Sequence, residues 1–187
     1  CRSIRPPYIV AVDLEASPTV ASGSNLTFTL GSNAALSIDN NLQTDGGDLT
    51  INGAVLVDGA RTIDTETGGD GVGGNLAITG AVDSVDATGD TLSVDVSGTS
   101  DGAVNIGSNV GGSSKLTNLT ITGASQVDLT NVSTTGAIAV TGTNIDLNTA
   151  VIASDDGAIT FTGAVDLDGT ASLDSDANND GTDGNIQ

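Results

Sequence analysis

Gly47-Asp48-Leu49-Thr50-Ile51-Asn52-Gly53 and Gly74-Asn75-Leu76-Ala77-Ile78-Thr79-Gly80 are two spellings of one phrase. Each opens on glycine, follows with Asp or Asn, places aliphatic residues two apart and closes on glycine. Aliphatic and polar residues alternate with period 2, the signature of a strand with one buried face, so Leu49 and Ile51 point inward and Thr50 and Asn52 outward. The phrase returns around Leu26-Thr27-Phe28, Val104-Asn105-Ile106, Leu119-Thr120-Ile121, Ile138-Ala139-Val140 and Ile159-Thr160-Phe161, and begins once more at Gly184-Asn185-Ile186-Gln187. Its first aliphatic positions are 26, 49, 76, 104, 119, 138, 159 and 186, a mean spacing of about 23 residues, the length of one solenoid turn with three short strands.

Between the copies lie further alternating runs: Ala54 to Val57, Leu92 to Val96, Gln126 to Leu129, Asn144 to Leu147 and Ala164 to Leu167. A single coil cannot bury its apolar face alone, but coils stacked about 4.8 Å apart pair their backbones and share one interior. The fold expected is all-β, a parallel β-solenoid of about seven coils from residue 24 to 187, the last incomplete. Its interior is lined by Leu26, Phe28, Leu49, Ile51, Leu76, Ile78, Val104, Ile106, Leu119, Ile121, Ile138, Val140, Ile159 and Phe161. An Ig-like β-sandwich is the alternative, since it also has many short alternating strands.

Composition agrees. The 187 residues contain no Met, Trp or His and only 2% aromatics, so the core is built from Val, Ile, Leu and Ala. Glycine, at 26 residues, with abundant Asp, Asn, Ser and Thr, disfavours helix interiors. Acids number 24 against 4 bases, a formal net charge of -20, and only Glu15 and Glu66 are glutamates. Phosphate binding needs basic stripes, and Arg2, Arg5, Arg61 and Lys115 do not form one, which argues against nucleic acid as a partner. No apolar run is long enough to span a membrane.

Residues 1–23 stand apart from the repeat. They hold Pro6, Pro7 and Pro18, two of the four bases and the apolar run Tyr8, Ile9, Val10, Ala11, Val12. That run is either a cap on the first coil or a strand donated to a neighbour. With Ile186 in a coil that stops short, it suggests head-to-tail self-assembly, the N-terminal strand of one copy completing the open coil of the next; adjoining repeats of a longer chain are the competing explanation. Cys1 is the only cysteine, so no internal disulfide forms; a lipid anchor, an intersubunit disulfide and a chain end all fit its position.

The phrases Gly-Asn-Leu-x-Ile-Thr-Gly and Gly-Ala-Ile-Thr-Phe-Thr-Gly resemble the repeats of filamentous-haemagglutinin-type large exoproteins and autotransporter passengers. The resemblance covers about residues 24 to 187. It implies a right-handed parallel β-helix, a location outside the cell or on the bacterial surface, and a host or matrix surface as partner.

Candidate chemistry is sparse. Without histidine no His-based triad exists, and Lys115 follows the glycine-rich turn Gly111-Gly112-Ser113-Ser114. Polysaccharide cleavage would need a marked pair of carboxylates, and none of Asp83 with Asp86, Asp155 with Asp156 or Asp166 with Asp168 stands out. The chain therefore reads as non-enzymatic. The sharpest signal is Asp176-Ala177-Asn178-Asn179-Asp180-Gly181, which fits the start of a calcium loop; Asp174 lies upstream and the Thr182 carbonyl takes the seventh position. Gln187 stands where an EF-hand has Glu, so an isolated Ca2+ loop and a plain Asp/Asn turn both fit. Ice binding is a further reading of the outward Thr27/Thr29, Thr120/Thr122 and Thr160/Thr162 pairs. The sequons at Asn25, Asn118 and Asn131 match what chance gives in so Asn-, Ser- and Thr-rich a chain.

Overall fold

The structure is a computed structural model and describes residues 10–13, 16–18, 20–68, 71–147, 150–167 and 169–187. Among these the chain forms strands and turns with no helix. In chain order the strands are β1 (Val10–Asp13), β2 (Leu26–Thr29), β3 (Ala34–Ile38), β4 (Leu42–Gln43), β5 (Leu49–Asn52), β6 (Ala54–Val57), β7 (Ala60–Asp64), β8 (Leu76–Ile78) and β9 (Val82–Ser84). They continue as β10 (Thr91–Asp95), β11 (Ala103–Ile106), β12 (Asn118–Leu129), β13 (Val132–Thr134), β14 (Ile138–Leu147), β15 (Val151–Ser154), β16 (Ile159–Asp166) and β17 (Ser172–Asp174).

Among the described residues every strand ladder is parallel, with one isolated antiparallel bridge between Asp45 and Glu66, which excludes the antiparallel Ig-like sandwich. One row runs β4-β7-β10 and a second β2-β5-β8-β11; both meet on the long strand β12, whose residues 118–122 pair with β10 and 126–129 with β11. From there β14 and β16 carry both rows onward in single curled strands. A third row runs β1-β3-β6-β9 and connects through bridges at Val110 to β13-β15-β17.

Side chains of one kind stack along each row. Leu26, Leu49, Leu76, Val104, Val127, Ile145 and Val165 are register partners in turn, as are Leu36, Val55, Val82, Val110, Val132, Ile152 and Leu173. Each of these aliphatic residues thus rests on another aliphatic residue, which fills a narrow interior without aromatic bulk. Of the fourteen residues expected inside, eleven are fully buried, while Leu26, Phe28 and Phe161 pack against the core half-buried.

The copies of the repeat divide between two rows, which accounts for their irregular spacing. Leu26, Leu49, Leu76 and Val104 belong to the second row, but Leu119, Ile138, Ile159 and Ile186 stack in the first, above Leu92. The gap of 15 residues from Val104 to Leu119 is therefore a step between rows, and the true partner of Val104 is Val127.

Two devices explain the opening of the phrase. A Cβ on Gly47 would lie 2.0 Å from the Ser24 carbonyl oxygen, one on Gly74 2.1 Å from that of Gly47, and one on Gly102 2.1 Å from that of Gly74. Successive strands approach so closely there that only glycine fits. The next position carries an amide or carboxylate ladder. Asn25 Oδ1 accepts from Asp48 N–H at 2.9 Å, Asp48 Oδ1 from Asn75 N–H at 2.9 Å and from Asn75 Nδ2 at 3.0 Å, and Asn75 Oδ1 from Ala103 N–H at 2.9 Å. Asn118 Oδ1 likewise accepts from Ala137 N–H, and Asn131 Oδ1 from Val151 N–H. All three sequon asparagines are thus ladder members. Buried Thr44, Thr65, Thr134 and Ser154 return their hydroxyls to corner carbonyls, which keeps the turns satisfied where the chain passes between rows.

Candidate functional site

The C-terminal loop is held by its own Asx turns. Asp174 Oδ1 accepts from Asp176 N–H at 3.1 Å, Asp176 Oδ1 and Asn178 Oδ1 both accept from Asp180 N–H at 3.1 and 3.2 Å, and Asp180 Oδ1 accepts from Thr182 N–H at 2.9 Å. Asn179 and Gly181 take the left-handed conformations that close it, with φ of 57° and 87°. The Ala177 N–H then donates to Ser154 O, tying the loop to the strand below.

This folding brings a carboxylate oxygen of Asp176, one of Asp180 and one of Asp156 within 4.8 Å of one another. Asp156 was not legible as a partner, since it comes from the preceding level, on the turn after β15. Register supplies the missing signal: Ala153 pairs with Asp174, so Ser154-Asp155-Asp156 runs alongside Ser175-Asp176-Ala177. Asn178 Nδ2 donates to Asp156 Oδ1 at 3.1 Å and to Asp180 Oδ2 at 3.3 Å, so an amide joins the acids where cluster and loop meet. Asp174 lies outside the cluster and Thr182 serves through its N–H. Three hard oxygens at this separation suit a divalent cation, with Asp176 partly shielded and Asp156 and Asp180 open to solvent.

Asp83, Asp86 and Asp155 serve structural ends. Asp83 is buried, and its Oδ1 accepts from Ser113 and Ser114 N–H at 2.9 and 3.2 Å; Asp86 accepts from Thr88 in a separate turn. The Gly111–Lys115 stretch is accordingly a fixed turn, and Lys115 Nζ pairs with Asp155 Oδ1 at 2.5 Å, two levels away. Asp166 is exposed, whereas Asp168 lies outside the described residues. A cleft of about 400 Å³ lined by Leu30, Asn33, Asn52, Gly53 and Thr79 has no titratable side chain on its wall.

Asp90 is a buried carboxylate that sequence reasoning did not single out. Asp90 accepts from Gly59 N–H at 2.5 Å, Ser84 Oγ at 2.6 Å and Val85 N–H at 3.0 Å, locking the turn after β9 to the one before β7. Nothing local distinguishes it from the other turn aspartates. Asp64 stacks on Asp95 beside Glu66; burial, then the charges of Asp95 and Glu66, push its carboxyl above the ordinary value, against the Glu66 N–H that lowers it.

The outward threonines divide. Thr120/Thr122 and Thr160/Thr162 share one face, with Ala139 and Thr141 between them, but Thr27/Thr29 belongs to another row. Of the assembly residues, Tyr8 and Ile9 lie outside the described residues. Val10, Ala11 and Val12 lie in β1, which pairs with Ala34, Ala35 and Leu36 at the end of the third row. Ile186 bridges to Ile159 and is 47% exposed. No protein-family model, curated protein or solved structure matches the chain.

Proposed function

We propose that the chain is a right-handed parallel β-solenoid of about seven coils that serves as a non-enzymatic structural module of a bacterial surface or extracellular adhesin, fibre or matrix. The carrying observation is the stacking of aliphatic side chains along three rows of parallel strands, which gives a stiff rod whose outer faces of Thr, Asn and Asp would meet a host or matrix surface. The acidic, histidine-free composition supports the same reading. Among the described residues no helix is long and apolar enough to cross a membrane. Small-angle scattering tests the shape, with a rod-like cross-section expected and a compact sphere overturning it. Labelling of intact cells with an antibody to the chain tests the location, and signal only after lysis refutes it.

A second reading, a calcium-dependent extracellular binding module, is favoured by the convergence of Asp156, Asp176 and Asp180. Extracellular sites bind Ca2+ with dissociation constants of about 0.1–1 mM. Calcium at about 10 mM then stabilises by roughly 1.4–2.7 kcal/mol. A melting temperature that ignores both calcium and chelator refutes this reading.

A further inference from the structure

We propose that Asn52 is a deamidation site of this chain and that the Thr79 hydroxyl sets how fast it reacts. Asn52-Gly53 is the one Asn-Gly pair in the sequence. Glycine leaves the peptide nitrogen that follows an asparagine unshielded by any side chain. That nitrogen, once deprotonated, can attack Asn52 Cγ. The N–Cγ bond forms, the Cγ–Nδ2 bond breaks, and Nδ2 departs as ammonia, taking up the proton that the glycine nitrogen lost. Water then opens the succinimide ring. Cleavage at Cγ leaves an aspartyl residue, and cleavage at the backbone carbonyl leaves an isoaspartyl residue whose main chain is one atom longer.

Packing builds this labile pair into the strand. A Cβ on Gly53 would lie 2.7 Å from Leu30 Cδ1 and 2.8 Å from Leu30 Cβ, so position 53 has room for glycine alone. Asn52 closes β5 with its side chain exposed. The level of β2 lies on one side of it and that of β8 on the other, so its surroundings do not depend on either end of the chain.

The fold holds the reacting atoms apart. Gly53 N–H donates to Thr79 Oγ1 at 3.1 Å, Gly53 O accepts from Gly80 N–H at 3.1 Å, and Asn52 O accepts from Leu30 N–H at 3.0 Å. Attack requires the Gly53 nitrogen to give up its proton and turn onto Cγ, and these three bonds oppose both. Only the Thr79 bond engages the nucleophile itself, and an exposed side chain makes it. Thr79 is thus a positioning residue, and deamidation proceeds from the state in which this corner has opened locally. One net hydrogen bond changes the population of such a state by roughly fivefold. The isoaspartyl product would force an extra atom into a contact that has no slack, since a Cβ on Gly80 would already lie 2.4 Å from Gly53 C.

Peptide mapping by mass spectrometry of the whole chain, incubated at mildly alkaline pH, tests this by reading the exchange of NH2 for OH at each asparagine. Asn52 should be the first asparagine to react, and should react far more slowly in the folded chain than in urea. Thr79→Val should speed the folded reaction roughly fivefold, whereas Thr79→Ser, which keeps the hydroxyl, should match wild type. Thr29→Val, at the outward position paired with Asn52 one level away, controls for general loosening and should leave the rate unchanged. A Thr79→Val chain that deamidates at the wild-type rate, or a Thr29→Val chain that speeds up as much, overturns the role of Thr79. A folded chain that reacts as fast as the unfolded one overturns the protection, and one in which another asparagine reacts first overturns the site.

Discussion

Gly74→Ala is the sharpest test of how the rows are built. The added methyl would sit 2.1 Å from the Gly47 carbonyl oxygen, 2.5 Å from its carbonyl carbon and 3.1 Å from Asp48 N. These are backbone atoms, so no side chain can swing away. Relief requires the two strands to part by about 1 Å, at a ladder spacing near 4.8 Å. The bonds stretched are Asn75 N–H to Asp48 Oδ1 at 2.9 Å, Asn75 Nδ2 to the same oxygen at 3.0 Å and Leu49 N–H to Asn75 O at 2.8 Å. Parting by that much takes them beyond hydrogen-bonding range. Overpacking costs about 1–3 kcal/mol. Each lost bond adds about 1 kcal/mol, and some are recovered through water, so the sum is about 4 kcal/mol. In a chain of this size that lowers the melting temperature by roughly 8–16 °C. Gly31→Ala is the control, since a Cβ there meets nothing within 4 Å; it should stay within about 0.5 kcal/mol of wild type. Thermal melts followed by circular dichroism read both variants. Equal melting of the two would refute the close backbone stacking.

Asp90→Ala removes the acceptor shared by Gly59, Ser84 and Val85 and leaves the buried Ser84 hydroxyl and two part-buried N–H groups without it, which should cost about 3 kcal/mol in urea denaturation; a midpoint shift equal to that of an exposed turn aspartate such as Asp101 would contradict it. Asp64 holds its proton more tightly folded than unfolded, so its contribution to stability grows as pH falls through the raised folded value toward the ordinary 3.8 and is lost as pH rises. Asp64→Asn should therefore raise the melting temperature at neutral pH and flatten its increase on acidification; an unchanged pH profile argues against that assignment. Asp156→Asn should weaken any calcium-induced rise in melting temperature as much as Asp180→Asn does, and an effect of Asp180→Asn alone would remove Asp156 from the cluster.

Strand positions were legible wherever period 2 was clean. Leu49 with Ile51 and Leu76 with Ile78 lie buried as their alternation requires. The switch of row between Val104 and Leu119 was not. Either row can open on the same Gly-Asn or Gly-Ala phrase because each needs a residue without a Cβ at the close approach, as Gly157 and Gly184 show in the first row. Local sequence encodes that contact but not which row makes it. The half of the acidic cluster on one loop was visible as Asp176 and Asp180, while Asp156 depended on register one level down. β1 could be recognised as a strand, but its pairing with β3 is a long-range contact that no local pattern records.

The unequal path between stacked residues has an engineering consequence. Ile63 reaches its partner Val94 after 31 residues, yet Val127 reaches Ile145 after 18, and the columns stay in line. The surplus is spent in corner turns such as the one around Gly89, where a Cβ would touch nothing within 4 Å. A foreign peptide spliced between Asp86 and Gly89 would ride on the surface as cargo, and corners on successive strands would carry several at fixed pitch, like tools on a rack.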